Sequence, residues 1–224
     1  RSRGPRRWRG VRPSSWRPSA RGLLAVTEGL QPPAGTTALL FDCDGTLVDT
    51  LGLYRECWRQ VFGQRGFEMS DAWFTAWAGH SMEPFISAAF PGEAPEARAR
   101  IGAEGLDLFR ASTQLLEPME HVVLIARQYS GVLPMAVVSG GPRVAVDETL
   151  EAVGIRGLFD TVVTVDDVAR GKPEPDAYLL AMERLGVTAS TCVAYEDTAI
   201  GIASAAAAGI HLVIDVGLHS PSAA

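Results

Sequence analysis

The sequence predicts an α/β fold, with a doubly wound parallel sheet as its core and an inserted α-helical domain. Two observations support this prediction. In the second half of the chain, short apolar runs alternate with patterns of helical periodicity. Roughly ninety residues separate the first apolar run from the second, and this interval looks helical. A chain of 224 residues suits one sizeable domain, or a core domain with a smaller insertion.

Short apolar runs that end at polar residues predict the strands, at 38–42, 134–139, 161–165, 192–195 and 211–215. Helices are predicted between the later strands, at 142–153, near 175–185 and at 198–208, and a glycine follows each of them. Strands that alternate with helices are joined by right-handed crossovers and form a parallel sheet. Such sheets bind ligands beyond the carboxyl ends of their strands.

The interval between the first two strands predicts a helical cap domain over 50–117, with hinges near Thr50 and Pro118. Its stretches YRECWRQVF, DAWFTAWA, PFISAAF and EARARIGAEGLDLFRAS have apolar residues three and four positions apart. The core domain then comprises 35–49 and 118–224. Trp73 and Trp77 lie one turn apart, and we interpret them as part of the cap's own core rather than as a ligand box.

The charge is distributed unevenly along the chain. Positions 1–34 hold eight arginines and one acid, so within a total of −6 the remainder carries about −13. An acidic body is a poor partner for nucleic acid. No apolar run approaches the length that spans a membrane, and we expect no membrane association. The three cysteines are odd in number and unrelated in spacing, which favours a reducing, cytoplasmic location.

The opening segment 1–34 is rich in Arg, Pro, Gly and Ser and has no hydrophobic periodicity, so we expect it to be disordered. An Arg-rich, acid-poor segment is compatible with a basic arm or an organelle transit peptide. The alternative is upstream sequence that does not belong to the working protein, and we favour this alternative.

Polar side chains follow the predicted strands where a parallel sheet would bring them to one edge. They are Asp42 and Asp44, then Ser139 and Gly140, then Lys172, and finally Glu196 and Asp197. Two carboxylates about 4 Å apart repel by roughly 4 kcal/mol at an effective dielectric near 20, so a cation or a reaction must compensate. Hard oxygen ligands suit Mg²⁺. Together with an ammonium and free amides, Mg²⁺ is also what a dianionic phosphate requires.

Lys172 is the only lysine among the 20 basic residues, and it falls within this set. Each member also has a purely structural interpretation. Ser139 and Gly140 could form an ordinary turn, Lys172 could be a solvated side chain, and Asp197 or Thr198 could cap the helix that follows. All of these interpretations would have to hold together, in the right order along the chain. The combined set therefore favours a site for phosphate chemistry.

The motifs DCDGTLVDT, VVSGG, GKPEPD and YEDTAIGIASAAAAG resemble the haloacid dehalogenase (HAD) superfamily. The resemblance runs from about residue 37 to 216. It points to the β-phosphoglucomutase-like and sugar-phosphate phosphatase branch, whose members have a HAD-like Rossmannoid core and a helical cap. It implies an Mg²⁺-dependent enzyme that acts on a small phosphorylated metabolite, such as a sugar phosphate or phosphoglycolate.

The resemblance also implies roles for individual residues. Asp42 would be the nucleophile that forms an aspartyl-phosphate, and Asp44 would be the general acid and then the base. Lys172 would bridge the phosphate and Asp42. The other implied phosphate- or substrate-binding residues are Ser139, Gly140, Thr46, His80 and Arg143, and the implied metal ligands are Asp42, the Asp44 carbonyl, Glu196 and Asp197.

Within this branch, hydrolysis is favoured over the mutase reaction. The mutase pattern has a His, an Arg and a Lys-Asn pair where this chain has Tyr54, Met82 and Pro142-Arg143. The alternatives are a phosphosugar mutase and, in another class, a non-catalytic phospho-acceptor module. Asp44 and the long insertion weigh against that module. The oligomeric state stays open.

Specificity is expected from the cap loop WAGHSMEPF, with His80, Ser81 and Glu83 as weak candidates. His80 could equally be a solvated loop histidine. Arg143 could contact substrate or could lie exposed on the first turn of its helix.

Overall fold

The computed structural model describes Thr27 and residues 29–219. Within these residues five strands form one parallel sheet in the order β3-β2-β1-β4-β5, which confirms the predicted fold class. The strands are β1 (Ala38–Phe41), β2 (Met135–Val138), β3 (Thr161–Val163), β4 (Cys192–Glu196) and β5 (Leu212–Asp215). The chain order reverses on either side of β1, so the switch point of the sheet lies at β1.

Helices cover both faces of this sheet and also form the insertion between β1 and β2. The insertion contains α1 (Leu51–Gly63), α2 (Asp71–Trp77), α3 (Met82–Ala89) and α4 (Pro95–Arg110). The remainder contains α5 (Glu120–Tyr129), α6 (Arg143–Ala152), α7 (Asp176–Leu185) and α8 (Ala199–Ala207). The predicted helices after β2, β3 and β4 thus lie within a residue or two of α6, α7 and α8.

Alternation along each strand divides the core into two layers. Leu39 and Phe41 point to a cluster that includes Val122, while Leu40 points to the opposite cluster beside Tyr178. Successive side chains of a strand point to opposite faces, so a fully apolar strand such as β1 contributes to both layers. This burial on both faces fixes where β1 ends, and with it the position of the first carboxylate.

The segment 50–117, called the cap below, has an apolar cluster of its own. Trp58, Phe62, Phe74, Phe85 and Ile101 are buried in that cluster. Aromatic rings dominate it, with ring centroids of neighbouring pairs 5.3 to 5.5 Å apart for Trp58–Phe85 and Phe62–Phe85. Other residues of the same segment, Leu53, Cys57 and Phe109, are buried in the cluster on one face of the sheet, so the cap packs both on itself and on the core.

Two chain segments connect the cap to the core, and they run side by side. The Asp49 amide donates to the Glu117 carbonyl at 2.9 Å, and the Met119 amide donates to the Leu47 carbonyl at 2.8 Å. Both connections are therefore fixed at the edge where β1 ends. The cap is placed directly over the carboxyl ends of the strands.

The predicted disordered segment 1–34 extends too far along the chain. Leu30 is fully buried in the core, and its carbonyl accepts a hydrogen bond from the Tyr195 hydroxyl at 2.8 Å. The apolar Leu30 fills space beside the sheet and thereby orders the residues next to it. Residues 1–26 and residue 28 lie outside the described part of the chain.

In the described part of the chain, every helix is too short or too polar to cross a lipid bilayer.

Candidate active site

The parallel register brings the predicted polar residues together at one edge of the sheet. Phe41 of β1 is paired with Val137 of β2 and with Tyr195 of β4. The residues that follow these three are therefore at the same level, and Asp42 and Glu196 are two of them. Residues 130 to 154 positions apart in sequence meet here because parallel strands all end on the same side of a sheet.

Lys172 lies in the connection between β3 and α7 and connects these strand ends. Its ammonium donates to Asp42 Oδ1 at 2.7 Å, to Glu196 Oε1 at 2.5 Å and to the Val138 carbonyl at 2.9 Å. The side chain is 5% exposed. An ammonium has three N–H donors, so these contacts use all of them. Burial opposes the charged form, but Asp42 and Glu196 outweigh it and raise the pKa of Lys172 above its ordinary value.

Tyr178, in the first turn of α7, holds Glu196 in place beside Lys172. Its buried hydroxyl donates to Glu196 Oε1 at 2.6 Å, and the Lys172 ammonium lies 5.3 Å from the centre of its ring. Sequence reasoning did not identify Tyr178. The available signal was its position six residues after Lys172 on the apolar face of a predicted helix, and a buried Tyr in such a place needs a hydrogen-bond partner.

Three carboxylates form the candidate metal site. Oxygen atoms of Asp42, Glu196 and Asp197 lie within 4.8 Å of one another. Burial, and then the charge of Asp42, raises the pKa of Asp197. Burial also raises the pKa of Glu196, although Lys172 opposes that shift. A single ammonium therefore does not neutralise this cluster, and a divalent cation would relieve the remaining repulsion.

The donor chemistry of the cluster fits Mg²⁺. Glu196 Oε2 is buried and has no hydrogen-bond partner in the described structure, whereas Glu196 Oε1 binds Lys172 and Tyr178. An orphaned buried carboxylate oxygen is costly unless a cation binds it. Asp42, Glu196 and Asp197 offer the hard oxygen ligands that Mg²⁺ prefers.

Two glycines allow the backbone to approach these carboxylates closely. A Cβ on Gly45 would lie 2.2 Å from Asp197 Oδ2, and Gly45 has a φ of +86°. A Cβ on Gly201, at the start of α8, would lie 2.0 Å from Glu196 Oε2. Both positions require glycine because any side chain would displace a proposed metal ligand.

Asp44 is placed differently from Asp42, since it faces the cavity beside Ser139. The Ser139 hydroxyl donates to Asp44 Oδ2 at 3.3 Å and accepts from the Gly141 amide at 3.0 Å. Burial, and then the charge of Asp42, raises the pKa of Asp44 to about 6. A carboxyl group with this pKa holds a proton closer to neutral pH than an ordinary aspartate does. That property suits a general acid.

A cavity of about 130 Å³ separates these groups from the cap. Its floor is charged and polar and comes from the core: Asp42, Asp44, Gly140, Lys172, Asp197 and Thr198. Its opposite wall comes from the cap and is mainly aromatic: Tyr54, Trp58, Phe74, Trp77, Met82 and Phe85. The cap loop closes one side, where Gly79 lies against Thr198. The cavity therefore joins a reactive surface to an apolar one.

His80 is the predicted cap-loop residue that lines this cavity. Its Nδ1 lies 3.2 Å from the Trp77 carbonyl, and its ring centre lies 5.0 Å from that of Trp77. The loop turn and the indole thus fix the imidazole in place. His80 therefore lines the cleft, and its role in specificity stays a prediction.

Other predicted residues lie close to the cavity without lining it. Thr46 is buried, and its hydroxyl donates to Asp197 Oδ1 at 3.3 Å, so it holds a carboxylate in place. Ser139 is also buried, and it contacts Asp44. Ser81 is the N-cap residue of α3. Glu83 points to the outside of the cap, where Arg98 donates to it at 3.0 Å.

Arg143 is not brought into the cavity. Its guanidinium donates to Asp167, and also to the Val162 carbonyl at 3.0 Å. It also lies 3.8 Å from Asp147, one turn along α6. These acceptors lie beside β3, and they hold the side chain there. Substrate contact by Arg143, one of the two alternatives, therefore has no support in the geometry.

The interpretation of the two tryptophans was correct for Trp73 and incomplete for Trp77. Both pack against the cap's aromatic cluster, with ring centres 6.0 Å apart. Trp77 also lines the cavity, together with the buried Trp58. Helical periodicity marks both rings as inward-facing, but it cannot separate a side chain in the interior from one at the edge of a cleft.

Comparison with known families identifies this arrangement. The family described as haloacid dehalogenase-like hydrolase matches residues 36–209, which include the candidate floor residues and the whole cap. The chain belongs to this family. The resemblance carried by the four motifs is thereby confirmed, and the chain is a hydrolase-family enzyme with a parallel α/β core.

Named relatives of this hydrolase include phosphatases. The fructose-1-phosphate phosphatase YqaB of Escherichia coli (strain K12) is 34% identical over 181 residues, covering 78% of this chain and 94% of the relative. The validoxylamine A 7'-phosphate phosphatase of Streptomyces hygroscopicus subsp. limoneus is 32% identical over 179 residues, covering 78% and 83%. The crystal structure of CbbY from Rhodobacter sphaeroides in complex with phosphate matches with a TM-score of 0.72 and 25% identity, covering 80% and 85%.

Proposed function

We propose that this hydrolase is an Mg²⁺-dependent phosphatase that hydrolyses a small phosphorylated metabolite of the sugar-phosphate type through an aspartyl-phosphate. The contact set around Lys172 carries the proposal. One buried ammonium joins Asp42 to Glu196, Asp197 lies beside them, and Asp44 faces the same cavity. This is the charge arrangement that an anionic phosphoryl group and a metal ion would require.

Asp42, the Asp44 carbonyl, Glu196 and Asp197 are the residues that would hold Mg²⁺. When bound, the ion would neutralise charge on the phosphoryl oxygens and help to orient the group in line with the nucleophile. Thr46 supports Asp197 through its hydroxyl. The uncompensated carboxylates and the unpaired Glu196 oxygen support this assignment.

In the first half of the proposed reaction, a carboxylate oxygen of Asp42 attacks phosphorus. The bond from phosphorus to the leaving alcohol oxygen breaks, and Asp44 gives its proton to that oxygen. Because its pKa is raised to about 6, Asp44 carries this proton in a larger fraction of molecules near neutral pH than an ordinary aspartate does. Lys172 holds Asp42 in place for attack, because its ammonium fixes Oδ1 at 2.7 Å.

In the second half, Asp44 accepts a proton from water, and the water oxygen attacks phosphorus. The bond between phosphorus and Asp42 then breaks and releases inorganic phosphate. The Gly140 backbone and the Ser139 loop are proposed to hold the phosphoryl oxygens at the cavity floor. Asp44 thus acts first as an acid and then as a base, as its position facing the cavity permits.

Hydrolysis is proposed rather than phosphoryl migration. Tyr54, Met82 and Pro142 line the cavity at the positions where the mutase pattern has phosphate-binding groups. The two phosphatase relatives support the same choice.

A cytoplasmic location is also proposed. The three cysteines, Cys43, Cys57 and Cys192, are free and buried, which supports this location.

The test measures inorganic phosphate released from a generic aryl phosphate by the full chain, with Mg²⁺ and with EDTA. We expect release with Mg²⁺, loss of release with EDTA, and recovery on adding Mg²⁺ back. Asp42→Asn should abolish release and Asp44→Asn should nearly abolish it. Asp160→Asn is the matched control, because Asp160 directly precedes β3 and accepts a hydrogen bond from the Met135 amide at the opposite edge of the sheet. Unchanged turnover in Asp42→Asn would refute the proposal.

A further inference from the structure

We propose that the cavity is specific for monophosphate esters of uncharged alcohols and discriminates against substrates with a second anionic group. This inference rests on the proposed phosphatase function and specifies its substrate class. The leaving group would be an alcohol with an apolar face, such as a neutral sugar or an aryl ring. A leaving group that carries a carboxylate or a second phosphate would be a poor substrate.

The first observation is where the charges of the cavity lie. Asp42, Asp44, Lys172 and Asp197 are all on the floor. Lys172 already donates to three protein acceptors. One reacting phosphate and one metal ion would occupy the remaining binding groups of the floor. Among the described residues that line the cavity, a second anion on the substrate would therefore meet carboxylates at the floor and no free cation.

The second observation is that the cap offers no charged partner. Among the described residues that line the cavity, those from the cap are apolar or neutral apart from the imidazole of His80. Three arginines of the cap, Arg55, Arg59 and Arg98, do not line the cavity, and two of them form hydrogen bonds with acids. Arg59 donates to Asp71 at 2.8 Å and Arg98 donates to Glu83 at 3.0 Å. Arg55 lies 3.8 Å from Asp71, and its buried Nε has no hydrogen-bond partner in the described structure.

The third observation is the shape and chemistry of the wall opposite the floor. Tyr54 stacks on Phe109 with ring centres 4.0 Å apart, so its ring is held rigidly. Trp58 packs against Phe85, and Trp77 packs against His80. Rigid aromatic faces bind the C–H face of a sugar or an aryl ring by burying apolar area. They offer an anion no hydrogen bond or charge to compensate for its lost hydration.

The experiment compares matched substrate pairs with the full chain and Mg²⁺. Fructose 1-phosphate and fructose 1,6-bisphosphate differ by one phosphate. Hydroxyethyl phosphate and 2-phosphoglycolate differ in that a carboxylate replaces a hydroxymethyl group. In each pair we expect kcat/KM to be at least about 30-fold higher for the substrate whose leaving alcohol is uncharged. The reason is that a second charge without a partner is costly to bind. An aryl phosphate distinguishes stacking on the wall from recognition of sugar hydroxyls.

A variant pair connects any such ratio to the cap wall. Met82→Lys places an ammonium in the wall with little change in side-chain length, and Met82→Leu is the neutral control. Met82→Lys should reduce the neutral-to-anionic ratio by about tenfold or more, while Met82→Leu should keep the wild-type ratio. Circular dichroism and thermal unfolding check that both variants fold. The wild-type ratios decide the inference even if one variant does not fold.

The outcomes separate this inference from the function beneath it. Equal or higher kcat/KM for the bisphosphate or for phosphoglycolate would overturn the inference and leave the phosphatase function standing. An unchanged ratio in folded Met82→Lys would overturn the role assigned to the wall. Absence of phosphate release from every substrate would refute the proposed function, and the inference would fall with it.

Discussion

The floor and the wall of the cavity differ in almost every physical respect. On the floor, side chains from strand ends far apart in sequence form short, charged hydrogen bonds, such as that from Lys172 to Glu196 at 2.5 Å. The wall comes from one continuous segment, the cap, and consists of packed aromatic rings and a methionine. The floor is fixed by directional contacts, whereas the wall is fixed by the packing of apolar volume.

This difference separates the chemistry from the choice of substrate. Directional contacts to buried charges tolerate almost no change, because each charge depends on its partner. A packed aromatic wall tolerates substitutions of similar volume. We therefore expect floor substitutions to lower kcat and wall substitutions to change KM and specificity.

The largest effect is expected for Lys172→Met. The substitution leaves Asp42 and Glu196 buried without their cation, which costs about 3 to 5 kcal/mol when one partner of a buried pair is removed. We expect kcat to fall by about a thousandfold or more. The control is Arg170→Met, which removes an exposed cation two residues away. Similar losses in both variants would show that the floor does not depend on Lys172.

Gly201→Ala should lower kcat by about a hundredfold, since the new Cβ would fall on the Glu196 carboxylate and displace it. Gly63→Ala is the matched control, because a Cβ at Gly63 meets nothing within 4 Å. Steady-state kinetics at saturating Mg²⁺ measure the effect. If Gly201→Ala retained the wild-type kcat, the close approach of α8 to Glu196 would have no role in the reaction.

Tyr178→Phe should reduce kcat by about tenfold, because it removes one hydrogen bond to a charged group, worth about 1.5 to 3 kcal/mol. It should also weaken Mg²⁺ binding, since Glu196 loses a group that orients it. Tyr195→Phe is the control, as its hydroxyl binds the Leu30 carbonyl away from the floor. It should lower stability and leave kcat unchanged. An identical Mg²⁺ affinity in wild type and Tyr178→Phe would contradict the positioning role.

Trp77→Ala should raise KM for a neutral monophosphate by about fivefold to tenfold with kcat within about twofold, because one stacking face is lost. Trp73→Ala is the control, since this ring packs in the cap cluster without lining the cavity. It should mainly lower the melting temperature. A large fall in kcat with unchanged KM in Trp77→Ala would mean that the wall takes part in the chemistry.

The smallest effect on catalysis is expected for Arg143→Ala, which should leave kcat and KM within about twofold. Its partner Asp167 is partly buried, and this burial by itself would raise its pKa. Hydrogen bonds from Arg184, Thr164 and Arg143 outweigh burial and lower the pKa to about 2. Because the pKa of Asp167 is lower in the folded chain than in the unfolded chain, its ionised form stabilises the fold at pH values above about 4. This stabilisation is lost as the pH falls from about 4 to 2.

Denaturant unfolding between pH 7 and pH 2 checks that assignment. The stability difference between wild type and Arg143→Ala should shrink as Asp167 becomes protonated. A difference that stays constant with pH, or a large rise in KM, would show that Arg143 acts elsewhere than beside β3.

The floor could be predicted from the sequence because its residues follow strand ends, and parallel strands bring such ends together. Short motifs that follow the predicted strands contain the floor residues Asp42, Lys172, Glu196 and Asp197, so their positions along the chain predicted that they would meet. The direction of a side chain was harder to predict. Arg143 lies on the predicted helix, but Asp167 and the Val162 carbonyl hold its side chain beside β3, outside the cavity. Those partners follow from tertiary packing and not from local pattern.

The wall and the supporting contacts were much less accessible to sequence reasoning. Trp58, Trp77 and Phe85 have the periodicity of any buried helical face, so only the assembled cap separates wall from interior. Tyr178 is hidden for the same reason. Leu30 belongs to a segment whose overall composition indicates disorder, yet one apolar side chain is fully buried against the sheet.

Magnesium titration by calorimetry probes the proposed metal site itself, because it measures ion binding to the floor in the absence of substrate. The wild-type chain should bind one Mg²⁺, and both Asp197→Asn and Glu196→Gln should weaken that binding by about tenfold or more, as metal ligands and their neighbours do. Glu174→Gln, an exposed acid outside the cluster, is the control and should bind like wild type. Equal Mg²⁺ affinity in all four proteins would contradict the assignment of the strand-end carboxylates as a metal site.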